Sequence, residues 1–196
     1  MKKGMDTDMK KMLSLLVAAV MLVSLWGCVA KSSHAEELLI AARGLDLDAM
    51  SAHAALPATS SAVPFAQEMH YMAELDEEKR DVLVSLYAML QYTMGAESAV
   101  ENGVKSVEVT LKVPDFARIK SLVHTELIVS GKSAVQIVSG MMQDGSIEKN
   151  YMTEKKINVN MVEQDGEFYV SCYEKDNADL FGALALLDML RFFAMN

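Results

Sequence analysis

Two stretches of the chain alternate apolar and polar residues with a period of two. Val107, Val109, Leu111 and Val113 alternate with Ser106, Glu108, Thr110 and Lys112, so residues 106–113 predict a strand with one buried face, ended by Pro114. Residues 155–163 and 167–173 alternate in the same way around Asp165-Gly166, a dipeptide suited to a two-residue type I′ turn. With that turn, Gln164 faces Glu167, Met161 faces Val170 and Val159 faces Cys172, while Asn160 with Ser171 and Asn158 with Tyr173 fall on the other side. A slip of one residue would bury Asn and Ser, so the pattern and the turn select the same register.

Elsewhere the apolar residues recur at threes and fours. Ala35 to Met50 predicts a helix interrupted at Gly44, and residues 51–64, with Pro57, Thr59, Ser60, Ser61 and Pro64, predict a loop. Phe65 to Met94 predicts one amphipathic helix or two joined near Asp76, with helix over 66–75 and 82–94 and Gly95 as the stop. The charged run from Asp76 to Asp81 reads as a solvated turn or face. Asp115 is placed to cap a helix over 116–128, Ser130-Gly131 breaks it, and Val135, Val138, Met141 and Met142 mark another before Asp144-Gly145. Asp176 or Asn177 can cap a last helix, 178–193, which is apolar nearly all round. Such a helix is either docked into the core or used as a surface for self-association or membrane contact.

The first 28 residues follow a different pattern. Met12 to Trp26 is a run of about 15 apolar or small residues behind Lys10-Lys11, the length of a signal-peptide core and short for a membrane span. Leu25-Trp26-Gly27-Cys28 resembles the bacterial lipobox, with Trp26 where a small or β-branched residue is usual. The resemblance implies cleavage after Gly27 and a diacylglycerol on Cys28, hence a lipid anchor on the extracytoplasmic face of the cell membrane. The expected organisation is a signal peptide over 1–27, a lipidated tether over 28–34 and a single α+β domain over 35–196. Asp6 and Asp8 are unusual before such a core, and translation from Met9 would give an ordinary basic start.

Charge narrows the classes further. Of 18 basic and 27 acidic residues, four and two fall in the leader, leaving 14 and 25 and a net charge of −11. That balance argues against a nucleic-acid partner and gives no electrostatic attraction to anionic lipid. With Cys28 modified, Cys172 stands alone, which excludes a disulfide framework. A lone thiol on an apolar strand face reads as a small buried hydrophobe.

The order of elements resembles the small lipoproteins of Gram-positive bacteria with a cystatin-like, nuclear-transport-factor-2-like domain. Leu25 to Cys28 carries the resemblance, with the helix containing Ala42, Leu45, Asp46 and Met50, the segment Val107 to Asp115, and Lys155 to Val170. It implies an α+β fold in which a curved antiparallel sheet packs against helices as a cone. Members often have a tryptophan shortly after the hairpin turn, where this chain has Phe168-Tyr169.

Candidate chemistry is sparse. His34, His53, His70 and His124 lie on four segments without a ligand spacing, and Met69-His70-Tyr71-Met72 has the donor types for a soft metal but sits among 16 methionines. Asp46, Asp48, Tyr87 and Tyr92 are the residues available for an acid–base role inside a cone. The expectation is therefore a non-catalytic envelope lipoprotein, without a cofactor or metal, that binds a partner protein or a small apolar ligand. The alternative is a pocket enzyme of the isomerase or dehydratase kind.

Overall fold

The computed structural model describes residues 33–56, 62–173 and 175–196. The predicted signal peptide and the lipobox residues Leu25, Trp26, Gly27 and Cys28 lie outside the described residues, as do Pro57, Thr59, Ser60 and Ser61 of the predicted loop.

The first helices begin where the sequence offers caps. Ser33 accepts from Glu36 N to open α1 (His34–Arg43), with Glu36 and Glu37 in the first turn and Arg43 in the last, the arrangement a helix dipole favours. After Gly44, Leu45 turns left-handed, and Asp46 accepts from Ala49 N at 2.9 Å to start α2 (Leu47–Ala52). A two-residue strand, β1 (Ala54–Ala55), follows inside the segment expected to be a loop. Next come α3 (Ala66–Glu74) and α4 (Glu77–Tyr87), the latter capped by Asp76 accepting from Lys79 N, so the charged run is a cap and a solvated first turn.

The expected helix over 82–94 stops at Tyr87, and Gln91–Glu97 is a strand, β2. Met94 fits a helical spacing with Leu86 and Leu90, while Tyr92 and Met94 also alternate with Gln91 and Thr93 as on a strand; pairing with β3 (Val104–Pro114) decides for the strand. Gly95 is no helix stop. A β-carbon there would lie 3.0 Å from Glu108 O, so glycine permits the close strand approach beside the bulge between Met94 and Glu97.

Asp115 accepts from Arg118 N to cap α5 (Phe116–Ser130), which ends at left-handed Gly131. A reciprocal Ser133–Gln136 capping box starts α6 (Ala134–Gln143), followed by a single turn, α7 (Ser146–Asn150). The long hairpin joins β4 (Met152–Gln164) to β5 (Glu167–Ser171) through Asp165 and Gly166, both with positive φ as a type I′ turn requires. Its register is the predicted one for Gln164 with Glu167 and Met161 with Val170.

The sheet has the order β1-β5-β4-β3-β2 and is mixed. The expectation of a wholly antiparallel sheet is corrected by β1, which pairs in parallel with β5, Ala54 beside Val170. One face of β3 and β4, with Val107, Val109, Leu111, Ile157, Val159 and Met161, is buried against Leu38 and Leu39 of α1, Leu83 and Leu86 of α4 and Val138 of α6 in one hydrophobic cluster. Tyr87 lies fully inside it, stacked on Phe116 and donating to Leu184 O at 2.7 Å, so burial holds its phenol well above the ordinary pKa.

Several expectations near the C-terminus are corrected. The last helix is broken at left-handed Ala185 into α8 (Ala178–Leu184) and α9 (Leu186–Met195), and Leu186, Met189, Leu190 and Phe193 dock α9 into the core. The hairpin ladder also ends at Met161 and Val170, so Val159–Cys172 and Asn160–Ser171 are not ladder pairs. The side chain of Asn177 enters instead. It accepts from Asn160 N at 2.7 Å and donates to Asn160 O at 2.9 Å and Ser171 O at 2.8 Å, which spends it as a strand bridge and leaves no cap to α8. Ser171, expected on the open face, is buried and donates to Asp176 Oδ2 at 2.6 Å; Cys172 is half-buried and its N–H bonds Ala55 O.

Candidate functional site

Two chain reversals with unusual backbone conformation flank one apolar groove of about 640 Å³. Phe65 opens α3 at φ 59° and Ala185 separates α8 from α9 at φ 47°, both left-handed without being glycine. Each such residue costs on the order of 1–3 kcal/mol, so packing around it must hold it in place. Phe65 is held edge-on to Phe181, with ring centroids 5.9 Å apart. Ala185 is held by helix bonds on both sides, its N–H to Phe181 O and its carbonyl to Met189 N. The reversals turn Phe65, Phe181, Leu186 and Leu187 toward one space, with Leu56, Val63 and Cys172 completing the apolar lining and Gln67, Glu68 and Asp188 the polar part.

That size and lining suit an apolar ligand held by shape and oriented by a few polar groups. The thiol of Cys172 offers it no nucleophile: burial, then the charge of Glu68, push its pKa up to about 12. Left protonated, it packs as the small hydrophobe the sequence predicts.

The residues singled out by type do not gather at one point. Asp46 caps α2, exposed Asp48 lies in its first turn, Tyr87 is locked to Leu184 O in the core, and Tyr92 is half-buried on β2. In the Met69–Met72 run, the two methionines pack on the core, His70 meets Glu74 at 3.3 Å on the surface, and Tyr71 lies under Arg191. Among the described residues, no group of three or more His, Cys, Asp or Glu is placed to hold a metal ion. His124 is exposed on α5, whereas His34 and His53, 19 positions apart, meet at 2.9 Å. No spacing rule could have found that pair, because a helix break and the β1 crossing bring the two residues together.

No family model matches the chain, and no curated protein is similar to it. Among solved structures, the Bacillus subtilis lipoprotein candidate ycdA matches at 17% identity with a TM-score of 0.35. The match covers 60% of this chain and 44% of that one, so it spans less than half the length of the solved structure.

Proposed function

We propose that the protein is an extracytoplasmic lipoprotein, anchored through diacylglycerol on Cys28, whose domain binds a small apolar ligand or an apolar side chain of an envelope partner in the groove between α3 and the α8–α9 break. The groove carries the binding part of this reading, because packing maintains two left-handed residues on its walls where a relaxed backbone would serve a mere core. The anchor rests on the basic start, the 15-residue apolar run and Leu25-Trp26-Gly27-Cys28. No helix among the described residues is long and apolar enough to cross a membrane. The same reading takes the domain as cystatin-like: helices, one strand pair, a helical excursion and a long hairpin in that order.

Titration with an environment-sensitive apolar dye and displacement by fatty acids test the groove. Val63→Glu and Leu187→Glu, on its exposed and half-exposed wall, are expected to weaken dye binding at least tenfold while the fold is kept. Binding by both variants as tight as that of the natural chain, or none by the natural chain, overturns the assignment.

A further inference from the structure

His34 and His53 face each other Nδ1 to Nδ1 at 2.9 Å. His34 is the first residue of α1, and His53 ends α2 with its carbonyl accepting Val170 N at 3.1 Å, so the pair joins the start of α1 to the root of the hairpin. On the far edge of the His34 ring, Nε2 lies 3.3 Å from Glu167 Oε2, and the Tyr169 ring lies tilted by 30° against the imidazole at a centroid distance of 4.1 Å. The Tyr169 hydroxyl reaches the same Glu167 oxygen at 3.5 Å. Glu37, in the same first turn of α1, acts on His53 as a negative charge.

The contacts fix where the hydrogens sit. An ionised carboxylate only accepts, so His34 Nε2 carries hydrogen. With His34 neutral, its Nδ1 is bare and His53 donates from Nδ1. With His34 charged, its Nδ1 donates and His53 accepts as a neutral ring. The contact therefore tolerates one positive charge and fails with two, when two N–H groups and two cations confront each other. We propose that His34 and His53 form a proton-operated latch that holds the first turn of α1 against the β4–β5 hairpin and lets it go when both rings are charged. Burial and then the neighbouring His34 lower the pKa of His53 from 6.5, with Glu37 opposing them, so the second charge arrives on the acid side of neutrality. The segment released is the one through which residues 28–34, the predicted tether, enter the domain.

Imidazole ¹⁵N spectra of the full chain in detergent micelles, with histidine labelled, read the arrangement directly; surface-exposed His70 and His124 serve as references. At pH 8, His53 is expected as the Nδ1–H tautomer, the minor form of free histidine, and His34 as Nε2–H. His34→Gln should move the His53 titration midpoint upward. Hydrogen exchange in the first turn of α1, corrected for its intrinsic pH dependence, should accelerate at least tenfold between pH 7 and 5, and His53→Gln should abolish that response. An Nε2–H tautomer at His53, a midpoint indifferent to His34→Gln, or pH-independent protection in the natural chain refutes the latch. So does uptake of micromolar Zn²⁺ at both Nδ1 atoms without an acid response, which would make the pair a metal site.

Discussion

The carboxamide of Asn177 takes the place of a strand partner for Asn160, bonding both its N–H and its carbonyl where the β4–β5 ladder stops. Asn177 is 2% exposed, so these bonds have no ready substitute in water. Asn177→Ala would leave Asn160 N, Asn160 O and Ser171 O short of partners. The expected loss is about 3 kcal/mol, at 1–3 kcal/mol for a buried group left unsatisfied. Thermal unfolding should show a midpoint lower by about 6–12 °C. Asn177→Asp keeps the acceptor but sets a carboxylate against two carbonyls, and should be no milder.

The buried face of the hairpin gives a paired comparison. Val159 is 1% exposed, whereas Asn158 beside it is exposed. Val159→Asp should cost several kcal/mol by forcing a carboxylate into the apolar layer or making it take up a proton. Asn158→Asp should stay within about 0.5 kcal/mol. Asn160→Asp is not a mild control: its side-chain N–H₂ donates to Asp176 O, and a carboxylate there would meet that carbonyl. Urea unfolding of the three variants checks the order.

At Ala185 the backbone and the groove make opposite demands. Ala185→Gly relieves a left-handed conformation and should raise stability by up to about 1 kcal/mol, less the entropy that glycine loses on folding. It also removes a methyl group from the groove wall and lets the α8–α9 break flex, so the apolar-dye titration should show weaker binding. A variant that melts higher and binds less would separate the two effects.

Cys172 should be slow to alkylate. With its pKa pushed up to about 12, its thiolate fraction at pH 8 falls about three orders of magnitude below that of a free cysteine. Iodoacetamide labelling of the Cys28→Ala chain, followed by mass, should show a lag that denaturant abolishes.

Stability should also depend on pH through His53. The unfolded ring takes its proton near 6.5 and the folded one lower, so below that value the unfolded chain binds more protons. The contribution is complete above pH 6.5 and is lost as pH falls through the lowered folded value. Urea midpoints at pH 7.5, 6 and 5 should fall in the natural chain, and the fall should be shallower in His53→Gln.

The parts of this fold legible in the sequence are those set by neighbours along the chain. The Asp115 cap, the Ser106–Val113 alternation and the Asp165-Gly166 turn all form locally and were readable. The β2 strand was not, because Leu86, Leu90 and Met94 are spaced as on a helix and only pairing with β3 overrides that spacing. The break at Ala185 falls on an alanine, one turn beyond Gly182, with no glycine or proline at the left-handed position itself. Of the groove, the sequence marked Cys172 and the apolar helix over 178–193 as separate features; Phe65, Phe181 and Leu187 meet through reversals that no period encodes. Ser171 carried the right alternation for the open face, but Asp176 and Asn177 cover it from beyond the strand.

The pairing of Ala54 with Val170 joins positions more than a hundred residues apart. Until β5 exists, β1 has no partner and the apolar side of α1 lacks part of the sheet it packs on, so the early helices cannot complete a core while the chain is still emerging. Contacts of such separation slow folding and concentrate it at the end of synthesis. A nascent chain built this way keeps its N-terminal portion open until the C-terminal hairpin has been made as well.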